Sequence, residues 1–414
     1  METLRFVRDN ARWLAAGFLL TLSSSYGQTF FISIFAGEIQ AEFSLSNAAW
    51  GGIYMLGTLG SAVVMIWAGV LTDLFRVRTI GSIVLVLLAA ACIATALVPS
   101  VFWLVPMIFF LRLFGQGMAS HVAAVGMARW YVATRGRALS IAALGFGVGQ
   151  ALLPLIFVVL MGYIGWRWSW VVAAILALVA APIVLILLQE ERTPKSVATE
   201  NQSAGMGNRH WTRTEVLRTP LYWLILPVML GPPAFGTAFF FLQVHLAEVK
   251  GWSHLEMVGL FPIYTVVTTG FMLLSGFAID RFGTGKMIAI YTLPLALGFV
   301  IFSLTSSLLG GAVGIALFAV SSGMQATVPP AFWAEFFGTR HLGSIKALAA
   351  AVMVFGSAIG PGLAGLLLDM GISFPTQMLW VAGYMVVATV LAVIGVQRAV
   401  STLPRTAKID VVGT

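Results

Sequence analysis

The 414-residue chain is 59% hydrophobic and only 9% charged, with a mean hydropathy of +0.97. Soluble domains are about 25% charged and less than half apolar, so this composition excludes an ordinary soluble globular protein and indicates a polytopic membrane protein. The net charge of +8 comes from basic residues dispersed along the chain, which membrane orientation explains better than nucleic-acid binding. The single cysteine, Cys92, excludes an internal disulfide framework and a multi-thiolate metal site.

Twelve runs are apolar and long enough to cross a bilayer as helices, which takes about 20 residues each. They are 13–36, 46–72, 79–98, 101–128, 137–163, 167–189, 220–249, 253–280, 286–307, 308–335, 343–370 and 373–399. Runs this continuous lack the alternation of barrel strands, so each is predicted to be a helix. The first is too long for the core of a signal peptide and lacks a cleavage pattern, and we expect it to be retained.

The basic residues predict the orientation. With the N-terminus in the cytoplasm, 20 of the 23 Lys and Arg residues fall in inner segments, whereas the outer loops hold only Arg167 and Lys250. This bias predicts a multi-pass protein of the cell (inner) membrane with both termini in the cytoplasm. The hydrophilic stretch 190–219 has the Pro, Ser, Asn and Gly content of a linker, with a short amphipathic helix expected near Trp211–Leu217. The predicted organisation is two six-helix halves, 1–189 and 220–414, joined by this linker.

An internal repeat supports the two halves. At an offset of 207 residues, special positions coincide in the pairs Gly69/Gly276, Asp73/Asp280, Phe75/Phe282, Gly136/Gly343, Gly149/Gly356 and Pro154/Pro361. The aspartate pair is the most informative, because the chain has only 15 carboxylates. Parallel repeats of six helices, related by an axis along the membrane normal, are a transporter plan.

Motifs within the repeat resemble one family. The segment 69–78 (GVLTDLFRVR) resembles the loop 2–3 signature of the major facilitator superfamily, and 276–286 (GFAIDRFGTGK) resembles its second-half copy. The segment 112–117 (RLFGQG) is similar to the fourth-span motif, and Gly145–Gly149 followed by Pro154 to the fifth-span motif. Segments around 25–27 and 35–42 are loosely similar to the monocarboxylate and oxalate–formate antiporter branch. The resemblance implies an all-α membrane fold of twelve helices that transports solutes by alternating access.

The two signature loops are predicted to form a cytoplasmic gate. A carboxylate at the inner end of a span can approach the N-terminus of a helix in the opposite half, where free N–H groups and the helix dipole favour an anion. Asp73 is expected to face the start of span 11 near Gly343, and Asp280 the start of span 5 near Arg137. The alternative is a solvated loop charge. The predicted gate residues are Gly69, Asp73, Arg76, Arg78, Gly276, Asp280 and Arg281.

Arg112 is the only charged residue in the centre of a predicted span. A guanidinium at that depth is costly, so it is expected to face a wet cavity, an internal acceptor or an anion. Its planar fork suits carboxylate or phosphate oxygens, and Gln116 follows one turn later. Hydrogen bonding to carbonyls of a neighbouring helix is the competing interpretation.

Other polar or aromatic side chains at membrane depth complete the predicted substrate cavity. They are Tyr26, Gln28, His121, Gln150, Gln243, Tyr264 and Gln325. The resemblance implies that spans 1, 4, 7 and 10 line the cavity, although each such residue is more often a contact between helices than a ligand contact. His121 and His245 are candidate proton carriers. Proton coupling, exchange and facilitated diffusion all stay open.

Two proline pairs are expected to interrupt helices, Pro232-Pro233 in span 7 and Pro329-Pro330 in span 10, either at a gate or as packing kinks. The string 360–365 fits G-x-G-x-x-G, but no strand precedes it and a dinucleotide site is not expected. No nucleophile–base set is evident, so neither an enzyme nor a cofactor is predicted.

The sequence favours a secondary transporter of a small organic solute, preferably an organic anion. The alternatives are an exporter of amphiphilic compounds and, from another class, a non-transporting sensor or a membrane enzyme. The expected partners are a small-molecule substrate and the lipid bilayer, with protons as a candidate co-substrate, no nucleic acid, and a monomeric chain.

Overall fold

The computed structural model describes residues 2–69, 71–131, 135–190, 204–338 and 341–403, without the side chains of 2–4, 66, 73, 128, 129, 135–137, 280, 342–344 and 347. Ten helices in these ranges are long and apolar enough to cross a membrane, and a bent pair near the N-terminus adds an eleventh. One of the ten, Ala138–Leu187, has 50 residues, which at 1.5 Å per residue is more than twice the hydrocarbon thickness of about 30 Å. It is broken at Gly165 (φ 78°, ψ 165°) and therefore forms two spans, so the described residues contain the twelve predicted spans.

The helices, in chain order, have the following bounds. Span 1 is Ala11–Ser24, Thr29–Ile32 and Ala36–Phe43; span 2 is Asn47–Ala68; span 3 is Val77–Ala96; span 4 is Leu104–Leu111, Arg112–Ala119 and Ser120–Trp130; spans 5 and 6 are Arg135–Leu187; span 7 is Pro220–Phe241 and Gln243–Lys250; span 8 is His254–Val258 and Phe261–Phe282; span 9 is Thr284–Ile290 and Leu293–Leu304; span 10 is Leu308–Gln325 and Val328–Phe337; span 11 is Leu342–Asp369; span 12 is Phe374–Val400. Short helices also occupy Glu2–Asp9, Leu71–Leu74 and Arg213–Arg218.

Span 1 differs from its predicted form. It extends to Phe43 instead of ending at 36, and it bends by 50° between Gly27 and Thr29. At the bend, Gln28 has an extended backbone (φ −87°, ψ 152°). The polar run 23–29 (SSSYGQT) lies at this break, and its hydroxyl groups can compete for backbone hydrogen bonds that a regular helix would make.

The expectation that Pro232-Pro233 interrupts span 7 is wrong, because the helix Pro220–Phe241 runs through it. Pro232 cannot donate a hydrogen bond to the carbonyl of Val228 four residues earlier. The hydroxyl of Tyr291 in span 9 donates to that carbonyl instead, at 2.7 Å. Neighbouring helices thus satisfy a backbone acceptor that the proline leaves open, and the break in span 7 falls at Leu242. In span 10 the break precedes the proline pair, which lies in the first turn of Val328–Phe337.

The repeat is visible in the packing of equivalent helices. Span 1 packs on span 5 as span 7 packs on span 11, while the halves meet where span 2 packs on span 11 and span 5 on span 8. Ser33 and Phe240 are 207 residues apart, and the Ser33 hydroxyl lies 2.6 Å from the Phe240 carbonyl oxygen. Two positions related by the repeat offset therefore meet at the interface between the halves, as expected near an axis that relates them.

The buried apolar side chains form three clusters. One cluster combines residues of both halves near the predicted outer side, including Phe31, Trp50 and Phe241. The other two lie toward the predicted inner side, and each belongs to one half: one draws its members from 14–188 and the other from 206–399. The two halves thus share a core at the outer end and have separate cores at the inner end.

Candidate substrate site

Arg112 lies where two irregular helices cross. The segment Arg112–Ala119 of span 4 is a π-helix, and it packs on the break in span 1. A Cβ built on Gly115 would lie 2.6 Å from the Cα of Gly27, so only glycine permits this approach. Single π-turns within α-helices occur frequently at functional sites, and irregular backbone at membrane depth is tolerated only inside protein or beside a cavity.

The Arg112 side chain is 2% exposed and reaches the break in span 1. Its Nη1 donates to the carbonyl oxygen of Gly27 at 3.2 Å and to Oγ1 of Thr29 at 3.4 Å. The ring of Tyr54 lies 5.3 Å from the guanidinium carbon, and the Tyr54 hydroxyl is hydrogen-bonded to Thr29 at 2.5 Å. Arg112 thus contacts a carbonyl and a hydroxyl, as well as an aromatic face.

The charge of Arg112 has no carboxylate partner among the described residues, since every ion pair found there involves another arginine. Its Nε is buried without a hydrogen-bond partner. A buried, uncompensated cation with an unused donor is unfavourable, and an anion would supply both the missing charge and the missing acceptor. Arg112 therefore combines the backbone contact that the competing interpretation expected with unused binding capacity.

Tyr54 connects this region to the interface between the halves. Its ring centroid lies 4.7 Å from that of Phe241 in span 7, and Trp50 stacks on the same Phe241 ring at 5.6 Å. Gln243 donates to the Phe30 carbonyl at 3.1 Å. These contacts all lie toward the predicted outer side, and with the shared core they close that end.

The outer ends of spans 2 and 11 contact each other in the same way. The backbone N–H of Ala48 donates to Asp369 at 3.1 Å, and a Cβ on Gly51 would lie 2.8 Å from the Pro361 carbonyl oxygen. At the opposite end of the described helices, the two halves have separate apolar cores. Among the described residues, the halves therefore share a core at the predicted outer side and have separate apolar cores at the predicted cytoplasmic side.

Apart from His121, the other predicted cavity residues fall into two groups. The side-chain amides of Gln28, Gln116, Gln150 and Gln325 make no hydrogen bond to a described residue. The remaining three are engaged: Tyr26 packs against Phe31 and Phe157 inside the N-terminal half, Tyr264 packs against Phe240 and Phe318, and Gln243 joins the halves.

His121 faces span 2 and not the break in span 1. Its Nε2 lies 3.3 Å from Oγ1 of Thr72, and a Cβ on Gly69 would lie 3.5 Å from the same nitrogen. Arg112 contacts the break in span 1 and Tyr54 in the outer part of span 2, whereas His121 lies beside Gly69 and Thr72 at the other end of span 2. The sequence analysis did not predict that Thr29 and Tyr54 lie next to Arg112. For Thr29, the polar run 23–29 is a sequence feature that indicates an irregular helix at this position.

The predicted gate is described in part. The side chains of Asp73 and Asp280, like those of Arg137 and Gly343, lie outside the described residues. Arg76 precedes span 3 and is exposed, Arg78 donates to the Leu185 carbonyl in span 6 at 3.1 Å, and Arg281 lies 5.6 Å from the Phe282 ring. A Cβ on Gly276 would meet nothing within 4 Å, so span 8 is not tightly packed there.

Residues 17–345 match the Major Facilitator Superfamily. The chain belongs to this family. Superfamily members transport small solutes and are generally not enzymes, and the fold of this one is the multi-pass helical architecture described above. Within the described residues, no group of three His, Cys, Asp or Glu side chains could hold a metal ion.

Solved transporter structures share the fold at low sequence identity. A bacterial homologue of the human lysosomal transporter Spinster, in an inward-facing and occupied conformation, has a TM-score of 0.75 at 16% identity, covering 95% of this chain and 98% of the other. The nucleoside transporter NupG has a TM-score of 0.70 at 13% identity, covering 93% of this chain and 98% of the other.

Curated relatives are also distant. An uncharacterised MFS-type transporter of Escherichia coli K12, YhjX, is 22% identical over 340 residues, which is 81% of this chain and 83% of the relative. The membrane sensor protein UhpC of Salmonella typhimurium LT2 is 24% identical over 236 residues. That match spans 54% of this chain and about half (51%) of UhpC.

Proposed function

We propose that this chain transports a small organic anion, with a carboxylate as its preferred charged group, across the cytoplasmic membrane by alternating access. The observation that supports this most strongly is Arg112, a buried cation with no described carboxylate partner and an unpartnered Nε. Neighbouring amides that make no hydrogen bond to described residues, such as Gln28 and Gln116, would add polar contacts.

Binding and gating share residues in this proposal. An anion at Arg112 would compete with the Gly27 carbonyl and Thr29 for the guanidinium, and Thr29 holds the hydroxyl of Tyr54. Tyr54 in turn contacts Phe241 of the other half. Occupancy of the site would therefore alter contacts that close the outer end, which links substrate binding to the exchange between conformations.

The test is uptake into proteoliposomes by the wild type, Arg112→Lys and Arg112→Gln, with a panel of labelled mono- and dicarboxylates. Arg112→Gln removes the charge and is expected to reduce carboxylate binding about 10- to 150-fold, the equivalent of about 1.5–3 kcal/mol for a hydrogen bond to a charged group. Arg112→Lys keeps the charge but loses the planar fork, so an intermediate value is expected. Arg8→Gln, at an arginine whose side chain is 81% exposed, is the control.

Direct binding separates a site effect from misfolding. Both Arg112 variants must stay monodisperse and show cooperative thermal unfolding for the comparison to count. Equal carboxylate binding by the wild type and a folded Arg112→Gln protein would refute the anion site. A protein that binds the anion without net uptake or exchange would instead act as a sensor, the activity named for UhpC.

Efflux of amphiphilic compounds is the second candidate, and a cavity in the C-terminal half favours it. This apolar cavity has a volume of about 220 Å³ between spans 7, 9, 11 and 12. Trp380 in its wall is 54% exposed. The side-chain amide of Gln377 already donates hydrogen bonds to the carbonyls of Ala364 and Ile372. Competition between carboxylates and lipophilic cationic dyes distinguishes the candidates, because an anion site rejects the dyes whereas an apolar cavity accepts them.

A further inference from the structure

A second cavity lies at the predicted cytoplasmic end of the C-terminal half, away from Arg112. Its volume is about 360 Å³, and it lies between the start of span 7, the end of span 12 and the described end of the linker. Its lining includes Trp211 of the linker, Leu221 and Leu224 of span 7, Gly395 and Arg398 of span 12, and Thr402.

The linker wall of this cavity is held by specific hydrogen bonds. The N–H of Gly207 donates to the Thr402 carbonyl at 2.7 Å, and the N–H of Trp211 donates to the Phe337 carbonyl at 3.0 Å. Within the linker, the indole Nε1 of Trp211 donates to the Met206 carbonyl at 3.0 Å. Two bonds thus attach the linker to the C-terminal half and a third fixes its own loop, which makes this wall an ordered part of that half.

The lining of the cavity is apolar apart from Arg398 and two threonines, and a second guanidinium, that of Arg209, lies 3.9 Å from the Trp211 ring and is paired with Glu215. Leu221, Leu224 and Gly395 form the contact between spans 7 and 12, where a Cβ on Gly395 would lie 3.0 Å from the Leu224 Cβ. Arg398 is exposed and makes no ion pair or hydrogen bond with a described residue. The hydroxyl of Thr402 is already bonded to the Ala399 carbonyl. The free binding capacity in the described wall is therefore one guanidinium beside apolar surface.

The surroundings match the lipid–water interface. Trp223, one turn into span 7, is 58% exposed, and its indole N–H donates a hydrogen bond to the Leu217 carbonyl at 2.8 Å. Tryptophans placed in this way are enriched at the headgroup level of a bilayer. Arg213 and Arg218 are exposed on the adjacent short helix. Clustered basic residues on the cytoplasmic side attract anionic lipids by about 1 kcal/mol each.

From these observations we propose that the cavity binds one anionic phospholipid of the inner leaflet. Arg398 holds the phosphodiester, and the glycerol and upper acyl carbons lie against Leu221 and Leu224. A free phosphate ion would gain the same guanidinium contact but would face apolar walls that give it nothing in return for lost water. An acyl chain gains from those walls, so the cavity suits a lipid better than a soluble phosphate.

The test is lipid binding by the purified full-length chain in detergent, measured by native mass spectrometry and by the shift in thermal midpoint. Phosphatidylglycerol is titrated against phosphatidylcholine, with glycerol 3-phosphate as the soluble arm. The wild type is expected to bind phosphatidylglycerol at least tenfold more tightly than phosphatidylcholine, and Arg398→Gln to lose most of that preference. Arg398→Lys is expected to retain part of it, and Arg5→Gln, at an arginine that is 80% exposed, is the control.

Each outcome bears on the proposal. An unchanged preference for phosphatidylglycerol in Arg398→Gln would overturn it, as would an equal loss in Arg5→Gln, which indicates a general charge effect. Stabilisation by glycerol 3-phosphate equal to that by phosphatidylglycerol would mean that the site takes a soluble phosphate, and would overturn the lipid assignment. If Arg398→Gln fails to fold, the comparison of Arg398→Lys with the wild type carries the test.

Discussion

Ser33 offers a direct test of how the outer end is closed. Its hydroxyl oxygen lies 2.6 Å from the Phe240 carbonyl oxygen across the interface and 2.6 Å from the Thr29 carbonyl oxygen in its own span. Gln243 of the other half donates to it at 2.6 Å. The substitution Ser33→Ala therefore removes one or two hydrogen bonds that exist only while the outer end is closed, and it should favour opening toward the outside.

The expected size follows from that count. A side-chain hydrogen bond between membrane helices contributes about 0.6 kcal/mol on average, so the loss is about 0.6–1.2 kcal/mol. Because 1.4 kcal/mol is a tenfold change in an equilibrium constant, the outward-open population should rise about three- to eightfold. The removed groups lie far from the inner end, where the halves have separate cores, so contacts at that end should not change.

Labelling of a single introduced cysteine measures this population. Val244 is half-buried in span 7 and faces Gly37 across the interface, where a Cβ on Gly37 would lie 3.3 Å from the Val244 side chain. Val244→Cys is then labelled from outside with an impermeant maleimide in right-side-out membranes. The native Cys92 is buried and gives little background. The labelling rate of Ser33→Ala with Val244→Cys should exceed that of Val244→Cys alone by the factor above.

Ser82→Ala is the matched control. Ser82 also lies near two carbonyls, Arg78 in its own span at 3.0 Å and Ala181 of the same half at 3.2 Å. Its removal weakens packing within one half without touching the interface, so the labelling rate should not change. Equal rates for Ser33→Ala and the parent, or an equal rise in Ser82→Ala, would refute the reasoning.

Three further predictions test packing and gating. Gly115→Ala should reduce the free energy of unfolding by about 1–3 kcal/mol, because the new methyl group meets the backbone of span 1. The thermal midpoint should therefore fall. Gly276→Ala is the control: its new methyl group meets nothing within 4 Å, so the midpoint should stay unchanged or rise slightly. Arg167 forms an ion pair with Glu42 and also donates to the carbonyls of Ala96 and Val98. Arg167→Ala should therefore lower the thermal midpoint more than Glu42→Gln. Equal losses would show that the ion pair dominates, which is not expected of a pair near the surface. Asp73→Asn should slow transport and leave expression intact, and unchanged uptake rates would remove Asp73 from the proposed gate.

Much of the fold was predictable because its determinants are local. Twelve apolar runs must become helices in lipid, since no other arrangement satisfies their backbone polar groups. The break at Gly165 separates two of these runs at the predicted position, between 163 and 167. The interruption expected at Pro232-Pro233 was wrong, because whether a proline breaks a helix depends on whether a neighbour such as Tyr291 can replace the lost hydrogen bond. A partner so distant in the chain leaves no local signal.

The composition and the apolar runs determined that this chain is a helical multi-pass membrane protein. The charge bias and the offset of 207 predict its orientation and its repeated plan, and the sequence identifies Arg112 as the one charge at the centre of a predicted span. The tertiary structure alone decided what surrounds that charge: the break in span 1, the π-helical turn in span 4, and Tyr54 in contact with the other half. It also decided which end is closed. These features arise from contacts between residues far apart in the chain, and the order of residues along one helix does not encode the distance to another.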